Sequence, residues 1–442
     1  MRKKMRIAAT LTAAGLAALT GCVTQSGSDI GGGTETAKEE TVKETTAETA
    51  AGEGGGSIGG TLEYMTNKRE DAQVLEEIAK AFKEETGIEV EITFTENTST
   101  ILNRVATNDI PDITSIFPAM ASDRALIAEG VFLDITDEPF MDLVNQDWVE
   151  ITKYEGRAYA VPMTANAGVL YYNTDIFDEY GLKEPETIEE LYEICETLKS
   201  NGVTPFAFQF KDAATIEMQF FDRIMAGAAD HEIWNISEKV ARENDSYGNY
   251  PEIIEALEKL LKLTEYTDTE PLTVDNNVLF SLFSSGDIAM MATGTWAPAA
   301  VSQNNPELNY KGIPFPSITG VEPYVCGNTD MAMAISATTD RPDDCKKFIE
   351  YMLQEDIANQ FYEFDKCPNL VNSVKFDIPE QNVINDMLNS EKIVLHPICA
   401  WPASYPSLIQ PVLQGFFMDK DIEAFIGAWD EVTREAYASE GQ

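Results

Sequence analysis

Cys22 is the residue best placed for a covalent role. Arg2, Lys3, Lys4 and Arg6 precede an apolar run from Ile7 to Leu19 that is relieved only by small residues and threonines, and the run ends Leu19-Thr20-Gly21-Cys22. A basic start, a short apolar core and small residues at a cut site mark a secretory leader. The run is shorter than the roughly 17–25 residues of a spanning helix. Leu-Thr-Gly-Cys has the form of a bacterial lipobox. Residues 1–21 are therefore expected to be a removable lipoprotein signal peptide, with Cys22 carrying palmitate-type lipid. The alternative is an ordinary leader with a cysteine beside it by chance. The other five cysteines, Cys195, Cys326, Cys345, Cys367 and Cys399, cannot all pair within one chain. No Cys-x-x-Cys or Cys/His spacing suits a metal, so no metal and no cofactor is expected. A Cys345–Cys367 bridge stays open on spacing alone. His231 and His396 have no identified acidic or nucleophilic partner, so no catalytic triad is read and no enzyme is expected.

The formal charge is −44, and loss of the basic leader makes the chain more acidic still. Such a surface repels nucleic acid and anionic lipid head groups. Its 75 acidic residues would supply a carboxylate pair almost anywhere, so they give no specific support to a glycoside hydrolase.

Stepping outward to the elements, residues 23–60 are almost wholly Gly, Ser, Thr, Ala, Glu and Lys, without an aromatic residue. A stretch of that kind cannot offset its ordering entropy and reads as a tether. Folded sequence begins near Thr61. Leu62–Met65 reads as a strand, and Val74, Leu75, Ile78, Ala79 and Phe82 form one apolar stripe on a helix that Gly87 stops. Ile88–Phe94 alternates as a half-buried strand would. A helix over Ser99–Thr107 leads through Pro111-Asp112 to a strand, Ile113–Phe117. This β-α-β-α-β order implies an α/β class with parallel pairing. Farther on, Gly168–Asn173 and Thr204–Phe210 read as strands, and Thr187-Ile188-Glu189-Glu190 opens a helix with a capping box. Helices are also expected over Glu252–Thr264, Lys346–Tyr362 and Asp421–Ala438. No fixed-period repeat is present.

Several stretches, in order, resemble the extracellular solute-binding proteins of ABC importers, in the carbohydrate-binding group typified by maltodextrin-binding protein. They are Phe82–Val90; Pro111-Asp112-Ile113; Gly156-Arg157-Ala158-Tyr159-Ala160-Val161-Pro162; Leu170-Tyr171-Tyr172-Asn173-Thr174-Asp175-Ile176-Phe177; Phe283–Met291 running to Gly294-Thr295-Trp296; Pro314-Phe315-Pro316; and Met331–Ser336. The resemblance runs from about residue 61 to the end. It implies a type II periplasmic-binding-protein-like fold of two discontinuous lobes with a ligand cleft between them. Lobe 1 would comprise residues 61–166 plus about 330–385, and lobe 2 residues 167–329 plus about 386–442. The implied partners are a small carbohydrate and the permease subunits of an ABC transporter, with the membrane reached only through the lipid and the chain itself a monomer.

A sugar presents hydroxyls that need donors and acceptors, and C–H faces that stack on aromatic rings, so its cleft should combine both. By family position Trp296 would supply a stacking ring, the alternative being a core tryptophan. Asn166, in the crossing segment, would supply a polar contact or else a hinge amide. Asn67, Lys68 and Arg69 follow the first strand at the carboxyl end, where α/β sheets carry their binding loops; the alternative is a solvated charge cluster. Asn97 and Thr98 after the second strand, and Phe117 after the third, are placed by the same argument. Gln209, Phe210 and Asp212 are expected from the other lobe, and Asn328 and Asp330 near the return crossing. Trp401 and Tyr405, flanked by Pro402 and Pro406, would by family position form a rigid aromatic cleft loop or else a packed corner. The expected activity is capture of a sugar or oligosaccharide by lobe closure, for delivery to the permease from the outer face of the cell membrane. The alternatives are the same fold holding a non-sugar solute, a secreted glycoside hydrolase, or a sensor docking on a receptor kinase.

Overall fold

The computed structural model describes residues 60–439, apart from 96–98, 230–231, 321–323, 376 and 391. Cys22, Asn97, Thr98 and His231 therefore lie outside the described residues. Among the described residues no helix is long and apolar enough to cross a membrane.

Among the described residues nine strands are present: β1 (Thr61–Thr66), β2 (Glu89–Phe94), β3 (Ile113–Ile116), β4 (Val161–Asn173), β5 (Thr204–Phe206), β6 (Ile288–Gly294), β7 (Tyr310–Ile313), β8 (Val325–Ile335) and β9 (Ile393–Leu395). They run in the order β2-β1-β3-β8-β4-β6-β5, with β7 on β4 and β9 on β8. β1 pairs parallel with β2 and β3, and β5 pairs parallel with β6, as crossover helices require. The two long strands, β4 and β8, are antiparallel to each other and register Ala165 on Thr329, Asn166 on Asn328 and Ala167 on Gly327.

These two strands tie two cores together. Val161 and Met163 of β4 pack with Leu62, Tyr64, Ile78, Phe82 and Phe348, whereas Leu170 and Tyr172 of the same strand join Leu191, Phe206, Ile224 and Leu260. A strand so thoroughly buried reads as a near-continuous apolar run rather than an alternating one. This is why β4 extends well beyond the expected Gly168–Asn173, back to Val161. The opposite face of its far half, Val169 and Tyr171, is covered by Phe283, Met291 and the helix Asn382–Leu388. The result is a two-lobed α/β fold with a curled sheet.

Local chemistry sets the boundaries. Gly87 ends the helix Ala72–Thr86 at φ 76°, its N–H bonded to the Lys83 carbonyl. The capping box at Thr187 and Glu190 forms as expected. The single helix expected over Lys346–Tyr362 is instead two, Pro342–Met352 and Glu355–Asp365, because Gln354 turns to an extended conformation between them (ψ 141°). Thr204–Phe210 is strand only to Phe206.

Candidate functional site

Residues directly opposite in an antiparallel pair share a face, as do alternate residues along a strand. Asn166 and Gly168 of β4 therefore share a face with Asn328 of β8 and Gly294 of β6, which pairs with Gly168. Both glycines are needed. A Cβ on Gly168 would lie 2.3 Å from Arg223 Nη1, and one on Gly294 would lie 2.0 Å from Trp296 Cζ3. The two bare positions let the Arg223 guanidinium and the Trp296 indole lie flat on the sheet, with the Arg223 Cζ 5.8 Å from the indole centroid. Both side chains are only half-buried.

Arg223 follows a π-helical turn, Ile216–Phe221, an irregularity common at functional sites. The Met218 carbonyl in that turn accepts from Arg223 Nε at 2.9 Å and from His396 Nε2 at 2.8 Å. Arg223 Nη1 donates to the Cys326 carbonyl at 3.3 Å. His396 Nδ1 accepts from the Ile398 N–H, which fixes the tautomer with its proton on Nε2. Burial, aided by the Arg223 charge, pulls the His396 pKa down to about 3, so the ring is neutral at physiological pH. Beside Arg223 a pocket opens between Phe220, Phe315, Tyr324 and Thr293.

A further small apolar cluster involves the loop after β3. Phe117, Ala119 and Met120, in the loop after β3, meet Met218, Leu395, Ile398 and Cys399. The loop is held by Asp123, whose Oδ2 accepts the Phe117 N–H at 2.7 Å. Burial raises the Asp123 pKa to about 7.

Where the crossing segments meet lies a buried charge cluster. Lys68 Nζ is 2.6 Å from Asp330 Oδ2 and 2.6 Å from Asp365 Oδ1, with Asp71 and Glu70 oxygens each at 3.4 Å and Cys367 Sγ at 3.5 Å. Burial alone would lower the Lys68 pKa, but Asp330 and Asp365 hold it well above the ordinary value. Burial and the neighbouring Asp365 push the Asp71 carboxyl well up. Asp330, Asp365 and Cys367 hold their ligand atoms within 4.8 Å of one another, as a metal site would. The Lys68 ammonium already fills the centre of that arrangement.

The expected site residues thus divide. Asn166, Trp296 and Asn328 lie on one sheet face, with Phe117 against the small apolar cluster. Asn67 is half-buried at the end of β1, its Oδ1 buried without a hydrogen-bond partner. Asn328 is buried and turns its Oδ1 onto the next residue's N–H. Lys68 is a correction: at 1% exposed its ammonium is spent inside the protein, not offered to a cleft. Phe210, Trp401 and Tyr405 are corrections too. Phe210 packs on Phe208, Phe220 and Phe417. Trp401 Nε1 donates to Ser237 Oγ, and Tyr405 accepts from Trp429 Nε1, both deep in the second core. Tyr405 starts the helix Tyr405–Asp419, so the expected loop is a packed corner. Gln209 is buried with Nε2 on the Ala292 carbonyl, and exposed Asp212 caps a short helix by accepting the Ala214 N–H. Sequence reasoning missed Arg223. Its only signal was a charged pair, Asp222-Arg223, inside an otherwise apolar stretch.

Comparison with known proteins places these features in context. The family model described as bacterial extracellular solute-binding protein matches residues 66–359. The multiple sugar-binding protein of Streptococcus mutans serotype c is 28% identical over 332 residues, covering 72% of this chain and 76% of its own. The melibiose/raffinose/stachyose-binding protein MelE of Bacillus subtilis is 25% identical, covering 68% and 71%. Among solved structures, RafE in complex with raffinose superposes with a TM-score of 0.76 at 24% identity, over 86% of this chain and all of that one. The apo form of RafE from Streptococcus pneumoniae gives 0.70. With a family model spanning most of the folded sequence, the chain belongs to the bacterial extracellular solute-binding proteins.

Proposed function

We propose that this chain captures an oligosaccharide outside the cell and delivers it to an ABC permease, without chemical turnover. The observation that carries the reading is the shared face of Asn166, Arg223 and Trp296 on the strands that cross between the lobes. It offers an acceptor, a fork of donors and an aromatic plane, the three things a sugar needs. Relatives named for multiple sugars and for melibiose, raffinose and stachyose support the carbohydrate class. Closure of the lobes, residues 61–166 plus about 330–385 on residues 167–329 plus about 386–442, would be driven by ligand contacts made in both. The leader and Cys22 support a lipid anchor on the extracellular side of the membrane, and residues 23–60 would tether a monomeric body near its permease. Asn67, Asn97, Phe117, Gln209, Asp212 and Asn328 remain ligand candidates of lower rank than the shared face.

Calorimetry with melibiose, raffinose and stachyose tests the reading, with chromatography of the recovered sugar. Binding with unchanged sugar is expected. A peptide or another solute class binding where no sugar does would overturn it, and shortened sugar products would turn it into a hydrolase. For the anchor, Cys22→Ala should release the protein into the medium, and retention at the membrane would remove the lipid.

A further inference from the structure

Resting on the reading of Asn166 as a ligand contact, we infer that Lys68 is a positioning residue: through Asp330 it dictates which end of the Asn166 amide faces the ligand. Asp330 divides its two oxygens. Oδ2 takes the Lys68 ammonium at 2.6 Å, and Oδ1 accepts Asn166 Nδ2 at 3.3 Å. The other Nδ2 proton goes to the Thr329 carbonyl at 3.2 Å. Two acceptors on one side fix the amide's orientation, because only the NH2 end can satisfy them. The Asn166 carbonyl oxygen is thereby turned the other way, without a partner among the described residues. It is presented to the cleft as an acceptor, suited to a hydroxyl that donates.

Both Asp330 oxygens act as acceptors here, one towards each neighbour. Lys68 supplies the compensating charge in a place otherwise closed to water, where an unpaired carboxylate would be neutralised. The crowd of acids does not dilute this. Asp71 stands farther off, 3.4 Å from the ammonium, its carboxyl pushed well up by burial and Asp365. Asp330 and Asp365 are the two acids in direct contact with the ammonium, each at 2.6 Å. Cys367 Sγ lies 3.5 Å from both Asp330 Oδ2 and the Thr295 carbonyl, the latter one residue from Trp296. The Lys68 cluster therefore touches Asn166 and the residue before Trp296, across segments separated by 262 residues in sequence.

Lys68→Met would leave two buried carboxylates facing one another and fold poorly, so the test uses Asp330→Asn, which keeps the shape. An Asn at 330 can itself donate, freeing the Asn166 amide to flip and present NH2 to the ligand. Raffinose Kd is measured for the native protein, Asp330→Asn, Asn166→Ala and the double variant, with thermal melts as a check on folding. Asp330→Asn should weaken binding about tenfold or more in the native background, the worth of a hydrogen bond to a charged group. In the Asn166→Ala background the same change should alter Kd by less than about twofold. Equal factors in both backgrounds, or none in the native one, would overturn the inference. If no sugar binds the native protein, the carbohydrate reading fails by itself. The inference is then read on free protein labelled with 15N-asparagine: the Asn166 amide protons, identified by their loss in Asn166→Ala, should shift in Asp330→Asn, and unmoved signals would overturn it.

Discussion

Replacing Asp123 by Asn should change how stability varies with pH. Asp123 is 1% exposed and serves one N–H, that of Phe117, so burial raises its pKa from 3.8 to about 7. Between those values the folded chain keeps a proton that the unfolded chain has lost. Stability conferred by that proton is complete below 3.8 and is lost as pH rises through 7. The gap amounts to about 4 kcal/mol over the whole window, and to about 3 kcal/mol between pH 4.5 and 8. Asn does not titrate and can still accept the Phe117 N–H. In urea unfolding followed by tryptophan fluorescence, the stability of Asp123→Asn minus that of the native chain should therefore climb with pH by up to this amount. Glu217, raised to about 7 by burial, and His396, lowered to about 3, act alike in both proteins and cancel. Parallel stability curves, or a native chain that gains on the variant as pH rises, would refute the assignment of a buried, neutral Asp123.

Two further changes separate floor from core. Gly294→Ala places a methyl group 2.0 Å from the Trp296 ring and must lift it, so sugar affinity should fall about tenfold or more with the tryptophan still present; unchanged calorimetry would show the ring is not a platform. Trp401→Phe removes the bond to Ser237 and leaves a cavity in the second core. It should cost about 2–4 kcal/mol in urea unfolding while leaving sugar Kd within about twofold, and the reverse pattern would return Trp401 to the cleft.

Features legible in the sequence were those whose causes are local. The Gly87 stop and the Thr187 capping box each depend on residues within one or two helical turns. Trp296 and Asn166 could be proposed as ligand contacts because their turn and crossing strand have recognisable neighbours. Lys68 could not be placed, since its partners Asp330 and Asp365 are far along the chain and no local pattern tells a buried ammonium from a solvated one. Trp401 and Tyr405 misled for a related reason. Flanking prolines and family position suggested a rigid cleft loop, yet Pro406 sits in the first turn of a helix, where its missing N–H costs nothing. Arg223 had no motif at all, because what brings it to the floor is a π-turn and two distant glycines.

That turn works as an angular setting. One residue of an α-helix spans about 100° of rotation. Deleting a single residue from Ile216–Phe221 would restore regular winding and swing whatever follows by about that angle relative to what precedes. Arg223 would leave the sheet face, and the Met218 carbonyl would return to its own helix instead of serving Arg223 and His396. The aim of the guanidinium is thus stored as a count of residues, and chain length within that segment sets where the arginine points.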